Sequence, residues 1–370
     1  MKLSILQENL SKALSLVNRV VSSRSSLPVL SHVLLKTEKG RLRVSATNLE
    51  MGIHVWCGAK IEEEGEITVP ARLFSDFINS IPNAKVELNV HETVLSCKTD
   101  NFQSNINGIS ADEFPLIPQI KDPKVVSLDS NEFRNAINQV VFAVAQDETR
   151  PVLSGVCFSL EKDLIKMAGT DSYRLAEKQF KPRTAAIKDI RIIIPGRTLA
   201  ELARILGEAE EDVGIYLSEN QISFKTSEVE LTSRLIEGSY PDYTQIIPTS
   251  SSTSFKAPVD EFMNVMRVSG LFARESVNGV RMEVKSKGKV LVYATTSEIG
   301  DNVSSLSAQV KGEDGEISFN ARYLQEVLSN LGAEDVEVSI SGKLNPCLLK
   351  PIKGGKTDDS YLHIVMPLRT

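Results

Sequence analysis

The sequence is poor in the residues that build metal sites. It has four cysteines and four histidines in 370 residues, and no C-x-x-C pair. Structural zinc usually needs two closely spaced ligand pairs, so we expect no metal site. The cysteines are instead predicted to be small apolar core residues in a reducing compartment.

Catalytic motifs are missing as well. The chain contains no G-x-x-x-x-G-K-[ST], G-x-G-x-x-G, H-E-x-x-H or G-x-S-x-G segment, so phosphate loops, dinucleotide sites, zinc peptidases and nucleophile elbows are not indicated. We therefore expect neither an enzyme nor a bound cofactor. A hydrolase or transferase whose catalytic residues are spread along the chain is an alternative, which a broad activity screen would test.

The chain also lacks an excess of positive charge and long apolar runs. Its net charge is −6, the opposite sign to that of a simple basic nucleic-acid binder. The longest apolar run near a predicted helix, residues 140–145, is far shorter than the ~20 residues of a membrane span. Because Glu8 interrupts the first residues before a secretory apolar core can form, we expect a cytoplasmic protein with no membrane partner.

What the sequence does contain is a threefold internal repeat. Arg72, Arg197 and Arg322 follow similar segments (VPAR, IPGR, FNAR) at intervals of 125 residues, and each opens a stretch with helical apolar spacing. Three further landmarks recur in the same order at nearly the same period: the pairs at 114–115, 240–241 and 366–367, the threonines at 47, 170 and 295, and the segments at 30–33, 153–156 and 277–280. Four ordered landmarks at one period indicate a tandem triplication.

Each repeat is predicted to be an α+β unit of antiparallel strands and two helices. The predicted helices are 7–21, 71–80, 130–146, 196–207, 259–274 and 320–331, with Asp129, Ser130 and Asp260 as N-caps. Composition changes near 117–123 and 248–254, which places the predicted domains at 1–120, 121–249 and 250–370.

Charge is distributed unevenly between these predicted elements. The six helices together carry +2, which leaves −8 for the rest of the chain. One interpretation is that the helices form a weakly positive surface that faces phosphates without reading bases. The other interpretation is an ordinary set of solvated helix faces.

Several local signatures make the chain resemble the bacterial DNA polymerase III beta subunit family, the sliding clamps. The segments are LPVL at 27–30, VPAR at 69–72, GTDSYRLA at 169–176, YPDY at 240–243 and VMPLR at 365–369. The resemblance runs along the whole chain. It implies three DNA-clamp domains, each with two helices lining a central hole and antiparallel sheets outside, and a ring formed by head-to-tail homodimerisation.

The function implied by this resemblance is that of a processivity factor without catalytic activity. The ring would encircle double-stranded DNA and slide without sequence specificity. The implied partners are a second copy of the chain, the DNA polymerase III alpha subunit, the clamp loader and other proteins with a clamp-binding motif. Three repeats leave an open strand edge at each end of the chain, and pairing between two copies would remove both.

The resemblance also implies two sets of site residues. Those that match or neighbour DNA-contacting positions are Arg24, Arg72, Gln146, Arg150 and Arg197. Those that match a peptide-binding pocket between domains two and three are Leu153, Thr170, Arg174, Leu175, Pro241, Ile246, Val277, Asn320, Tyr323, Leu344, Pro346, Ile364, Val365, Met366, Pro367, Leu368 and Arg369. Aliphatic walls with a few polar groups suit short leucine- and phenylalanine-containing motifs.

The sequence departs from the family pattern at some of these positions. Residues 147–152 lack the aromatic pair that some members carry, and Ser172, Tyr173, Gln245, Val277 and Thr370 differ from common family residues at the pocket. A second class of function is a monomeric repeat scaffold that binds proteins and never encircles DNA. A measurement of the native mass distinguishes the scaffold, at 40.7 kDa, from the dimeric ring, at twice 40.7 kDa.

Overall fold

The computed structural model describes residues 1–21, 27–121, 123–147, 149–184, 189–208, 211–274, 278–296 and 300–369. Six α-helices lie within these ranges, two in each third of the chain: α1 Gln7–Val17, α2 Ala71–Ser80, α3 Ser130–Val141, α4 Gly196–Ile205, α5 Val259–Ala273 and α6 Ala321–Asn330. The predicted pairing of two helices with each repeat is confirmed.

Twenty-seven strands occupy much of the remaining described chain. The first third contains β1 Lys2–Leu6, β2 His32–Glu38, β3 Arg41–Thr47, β4 Met51–Gly58, β5 Lys60–Glu63, β6 Glu66–Pro70, β7 Lys85–His91, β8 Val94–Lys98 and β9 Gln103–Asn107. The second contains β10 Lys124–Leu128, β11 Gly155–Glu161, β12 Leu164–Thr170, β13 Arg174–Phe180, β14 Ile190–Pro195, β15 Val213–Leu217, β16 Gln221–Lys225 and β17 Val229–Arg234. The third contains β18 Thr253–Pro258, β19 Gly279–Lys285, β20 Lys289–Thr296, β21 Gly300–Ser307, β22 Gln309–Gly312, β23 Gly315–Asn320, β24 Asp335–Ile340, β25 Cys347–Lys353, β26 Lys356–Thr357 and β27 Tyr361–Val365.

The bounds of the second helix of each repeat agree closely with those that its apolar spacing predicts. Helix α2 buries Ala71, Phe74 and Ile78, which lie on one face because a helix has 3.6 residues per turn. Helix α6 buries Leu324 and Leu328 in the same way. Each of these helices begins at the residue that follows the last residue of a strand.

Helices α1 and α3 are shorter than predicted, and tertiary contacts lie at the end of α3. Helix α3 ends at Val141, and the carbonyl oxygen of Phe142 accepts a hydrogen bond of 2.7 Å from Nη2 of Arg174. Gly169 approaches the end of the helix so closely that a Cβ there would lie 2.8 Å from the carbonyl oxygen of Val140. Neither contact is visible in the local periodicity.

Two of the predicted N-caps are wrong. Helix α5 begins at Val259 with Pro258 as its N-cap, so Asp260 lies inside the first turn, where its carboxylate favours the positive end of the helix dipole. Ser130 is the first residue of α3, and its hydroxyl donates to the carbonyl oxygen of Glu211.

The chain forms two compact units. The first comprises Met1–Asn131, Arg183–Ile187 and Arg204–Leu235. It contains a five-stranded sheet in the order β5-β1-β7-β8-β9 and an eight-stranded sheet in the order β10-β15-β16-β17-β4-β3-β2-β6. Repeats one and two therefore share the eight-stranded sheet, which they join through the antiparallel pair β4·β17.

The second unit comprises Glu132–Pro182, Lys188–Ala203 and Ile236–Thr370. Its larger sheet has the order β14-β11-β12-β13-β27-β25-β24-β18-β22, with β26 paired to β25, and its smaller sheet has the order β21-β20-β19-β23. Repeats two and three share the larger sheet through the antiparallel pair β13·β27. Within the described residues, no helix is both long and apolar enough to cross a membrane.

Candidate functional site

The TD-x-x-RLA signature forms a tight turn between β12 and β13. The hydroxyl of Thr170 donates to the carbonyl oxygen of Arg174 at 2.6 Å and accepts from the amide of Ser172 at 3.1 Å. Asp171 Oδ1 accepts from the amides of Tyr173 and Arg174 at 2.9 and 3.0 Å. Ser172 has a φ of +77°, a left-handed conformation that these hydrogen bonds hold in place.

Arg174 is the most highly connected side chain of this region. It is 6 % exposed, and its Nε lies 3.0 Å from Asp171 Oδ2 while its Nη1 pairs with Glu326 of α6. Its guanidinium also lies 4.6 Å from the ring centroid of Tyr323. Arg174 therefore ties the turn to α6.

The electrostatics of Glu326 fit this arrangement. Burial opposes ionisation of its carboxyl, but hydrogen bonds and charge from Arg174 and Arg322 outweigh the burial and lower its pKa. A charged carboxylate between two guanidinium groups is a stable pairing in a partly buried position.

A hydrophobic cluster lies beside the turn and joins repeats two and three. Leu153, Leu175 and Ile364 are buried in it together with Tyr240, and Met366 packs against its edge. Strand pairing sets the register, with Leu175 opposite Ile364. Two backbone hydrogen bonds of 2.8 Å hold the carboxyl-terminal segment: the amide of Met366 donates to the carbonyl of Tyr173, and that of Leu368 donates to the carbonyl of Ser318.

The predicted pocket residues fall into three groups by exposure. The buried group contains Leu153, Thr170, Arg174, Leu175, Ile364 and Val365. The half-buried group contains Asn320, Tyr323, Pro346, Met366, Pro367 and Leu368, and the exposed group contains Pro241, Ile246, Leu344 and Arg369. Val277 and Thr370 lie outside the described residues. The strand pairing, cluster and hydrogen bonds bring most of the first two groups together in one unit.

Some residues that build this region are not predicted from the sequence. The hydroxyl of Tyr243 donates to Oε2 of the buried Glu177 at 2.6 Å, and burial together with that hydrogen bond raises the pKa of Tyr243 above its ordinary value. His363 is fully buried, its ring lies 5.5 Å from that of Phe142, and burial lowers its pKa to about 3. Tyr243 belongs to the YPDY signature, whereas nothing in the local sequence marks Glu177 or Phe142.

The residues proposed to contact DNA are placed on helix starts and in loops. Arg72 and Arg197 are exposed in the first turns of α2 and α4, and Gln146 is exposed in the loop after α3. Arg150 donates from Nη1 to Ser172 Oγ at 2.8 Å, which fixes it to the turn before β13. Arg24 lies outside the described residues. In the part of the chain that the structure describes, no group of three or more His, Cys, Asp or Glu residues is arranged to hold a metal ion.

Family models and known structures match the chain along its length. The N-terminal, central and C-terminal domain models of the DNA polymerase III beta subunit match residues 1–118, 127–242 and 244–369. The beta sliding clamp of Bacillus subtilis is 32 % identical over 381 residues, covering 100 % of both chains. That of Staphylococcus aureus is 31 % identical over 362 residues, covering 95 % of both.

Solved structures give the same result. The DNA polymerase sliding clamp of Bacillus subtilis has a TM-score of 0.94 at 31 % identity and covers 100 % of this chain and 99 % of its own. A Pseudomonas aeruginosa sliding clamp bound to griselimycin has a TM-score of 0.94 at 29 % identity, with 100 % of both chains covered. The chain therefore belongs to the DNA polymerase III beta subunit family, the beta sliding clamps, and is a non-catalytic processivity subunit of DNA replication.

Proposed function

We propose that two copies of this chain form a head-to-tail ring around duplex DNA. We further propose that they tether replication proteins through a groove beside Arg174, formed by the predicted pocket residues. The observation that carries the proposal is that two terminal strands of the described sheets are equivalent to strands that join the repeats inside the chain. Strand β9 ends the five-stranded sheet of one unit, and β21 ends the four-stranded sheet of the other. Such edges invite pairing with another chain.

The joints inside the chain support a specific pairing of these edges. In strand order, β4, β13 and β21 are each the third strand after the first helix of their repeat. Strands β9, β17 and β27 are each the third strand after the second helix, when the two-residue β26 is set aside. Repeats one and two are joined by β4·β17, and repeats two and three by β13·β27. A third joint of the same kind requires β21 of one copy and β9 of another.

The two internal joints also predict the register of the third. Glu230 lies opposite His54 in the first joint, and Leu362 lies opposite Glu177 in the second. Through the strand pairs β8·β9 and β20·β21, the equivalent residues are Gln103 and Val303. We therefore propose that Gln103 of one copy lies opposite Val303 of the other.

Exposed apolar residues near the free edges support this assembly. Val303 on β21 is 57 % exposed, and Val268 and Leu271 on α5 are 44 % and 53 % exposed. Helix α5 packs on β21, so these side chains border the same free edge. Phe102, immediately before β9, is 44 % exposed on the other free edge. Covering apolar surface of this kind favours association.

We further propose that the exposed arginines at helix starts contact DNA phosphates without reading sequence. Arg72 and Arg197 extend from the first turns of α2 and α4. A closed ring needs few tight contacts, so a net charge of −6 is compatible with sliding. Arg24, Gln146 and Arg150 complete the proposed set. The proposed domains are 1–120, 121–249 and 250–370, and the proposed location is the cytoplasm.

The groove is proposed to bind short motifs from the DNA polymerase III alpha subunit, the clamp loader and other clamp-binding proteins. Its floor is aliphatic, and the turn at 170–174 together with the carboxyl-terminal segment forms its polar border. This combination suits an extended peptide with apolar anchors. The griselimycin complex of the Pseudomonas aeruginosa relative supports a ligand site in proteins of this fold.

The experiment that tests the ring is retention on DNA after loading by the clamp loader. We expect the protein to remain on nicked circular DNA and to leave the same DNA once it is linearised, because only a closed circle holds a ring topologically. Equal retention on the two forms would contradict encirclement and favour the scaffold alternative.

A double charge reversal tests the phosphate contacts. We expect Arg72→Glu with Arg197→Glu to shorten retention on circular DNA, and to reduce the slope of log affinity against log salt by about 0.9 for each phosphate that is no longer neutralised. Lys343→Glu, an exposed residue outside the proposed DNA-binding set, is the control. An unchanged salt slope in the double variant would show that these arginines do not bind phosphates.

A further inference from the structure

A cavity in the first repeat has no assigned role. It has a volume of about 730 Å³ and lies between the outer part of the eight-stranded sheet and the segment that follows the Phe114-Pro115 landmark. Leu34, His54 and Arg43 form its sheet side, and Leu116 lies on its segment side. The volume is in the range of sites that bind small ligands or side chains.

The second repeat shows what occupies the equivalent space there. Tyr243 lies two residues after the Pro landmark of repeat two, and its hydroxyl donates to the buried Glu177. The equivalent residues in repeat one are Ile117, at an offset of 126, and His54, at an offset of 123. The first repeat thus has a short aliphatic side chain where the second has a phenol.

Gly52 explains why Ile117 leaves this space open. A Cβ at Gly52 would lie 2.6 Å from Cγ2 of Ile117, so the isoleucine packs directly onto the strand backbone and is only 8 % exposed. The equivalent of Gly52 in repeat two is Leu175, whose side chain occupies the strand surface beneath Tyr243. Ile117 therefore packs on the backbone of Gly52, where repeat two has the side chain of Leu175.

The polar groups of the cavity suit a neutral hydroxyl. His54 is 5 % exposed, its Nδ1 lies 2.8 Å from Ser45 Oγ, and burial, with the charges of Arg43 and Lys225, lowers its pKa to about 3, so it is a neutral imidazole near pH 7. The two cations of the sheet wall are already paired, Arg43 with Glu38 at 2.7 Å and Lys36 with Glu66 at 2.6 Å. A charged ligand would compete with these pairs, whereas a phenol would not.

We propose that this cavity binds a tyrosine side chain presented by an extended segment of a partner protein, with its ring in the space that Tyr243 fills in repeat two and its hydroxyl hydrogen-bonded to His54. The rim favours a polypeptide over a free phenol. Leu116 is 90 % exposed there and offers apolar contact to the residues that flank the inserted ring. The site is separate from the groove beside Arg174, so its failure would leave the proposed function untouched.

Ligand-observed saturation-transfer NMR on the full-length protein tests the proposal. The probes are a blocked Gly-Leu-Tyr-Leu-Gly peptide, the same peptide with phenylalanine in place of tyrosine, and 4-methylphenol. Trp56, the only tryptophan of the chain, has its ring 5.7 Å from that of His54, so its fluorescence gives a second readout. We expect the tyrosine peptide to bind at least fivefold more tightly than either other probe.

Two variants and a control locate the binding. Ile117→Tyr fills the cavity from within, and we expect it to weaken binding of the tyrosine peptide at least tenfold. His54→Leu keeps an apolar wall and removes the hydrogen bond, so the tyrosine and phenylalanine peptides should then bind equally. Tyr293→Phe removes only a hydroxyl from a half-buried tyrosine of β20 in repeat three and should leave the affinity unchanged. Thermal unfolding of each variant verifies its fold.

Several results would overturn the proposal. One is an absence of saturation transfer to the tyrosine peptide with the unmodified protein. Another is an unchanged affinity for the tyrosine peptide in a folded Ile117→Tyr variant. If that variant does not fold, the His54→Leu variant provides the test: a retained preference for the tyrosine peptide over the phenylalanine peptide would refute the proposal. Equal binding of 4-methylphenol and the peptide would refute the polypeptide ligand.

Discussion

Truncation after Val365 is expected to abolish binding of clamp-binding peptides while the dimer survives. The deletion of residues 366–370 leaves strand β27 intact and removes Met366, which packs against the cluster of Leu153 and Leu175. It also removes the amide of Leu368, which donates to the carbonyl of Ser318 and holds the segment in place. Loss of one wall of an apolar groove removes both the contact area and the shape that a short motif needs.

Fluorescence anisotropy with a labelled peptide from a polymerase tail measures this effect. We expect the dissociation constant to rise at least a hundredfold, because a short peptide depends on a few buried anchors. Leu6→Ser, which alters another exposed apolar side chain of 55 % exposure, is the control and should bind as the unmodified protein does. If the folded, dimeric truncated protein bound the peptide as tightly as the unmodified protein does, the assignment of the groove would be wrong.

Features that depend on neighbouring residues are predictable from the sequence, whereas features that depend on distant residues are not. The prediction for the second helices is close, with 71–80 matching α2 Ala71–Ser80, because their apolar spacing is complete within ten residues. The predicted end of α3 is too late, because the hydrogen bond to the Phe142 carbonyl comes from Arg174, 32 residues further along. Apolar periodicity identifies the buried face of a helix, but it carries no information about a distant residue that contacts the end of the helix.

The same distinction applies to the groove. The resemblance places Arg174 in the pocket, but its role as a link to α6 depends on Glu326, which lies 152 residues away in sequence. The Tyr243–Glu177 hydrogen bond spans 66 residues. Long-range pairs of this kind leave no mark in residue spacing. Internal repetition, in contrast, can be recognised in the sequence. Because the three repeats are equivalent, the strand pairing that joins two repeats inside the chain predicts the pairing between two copies.

A cysteine pair across the proposed joint tests that equivalence most directly. Gln103→Cys combined with Val303→Cys should give a disulfide-linked species of twice 40.7 kDa under mild oxidation. Opposed residues of antiparallel strands have Cα atoms about 4.5–5.5 Å apart, which lies within the range that a disulfide spans. Both side chains are exposed in the single chain, so the substitutions disturb no core packing. The native cysteines do not interfere, since Cys57, Cys97, Cys157 and Cys347 are buried and burial raises the pKa of each thiol.

The control shifts the register by two residues along the same face. Gln103→Cys with Ser305→Cys places the Cα atoms about 8 Å apart, too far for a disulfide without backbone movement. We expect the in-register pair to cross-link rapidly and the shifted pair to remain largely reduced, as read on a non-reducing gel. Equal cross-linking of both pairs would indicate random collision. A native mass of 40.7 kDa for the unmodified protein would contradict the ring, because the proposed third joint pairs β21 of one copy with β9 of another.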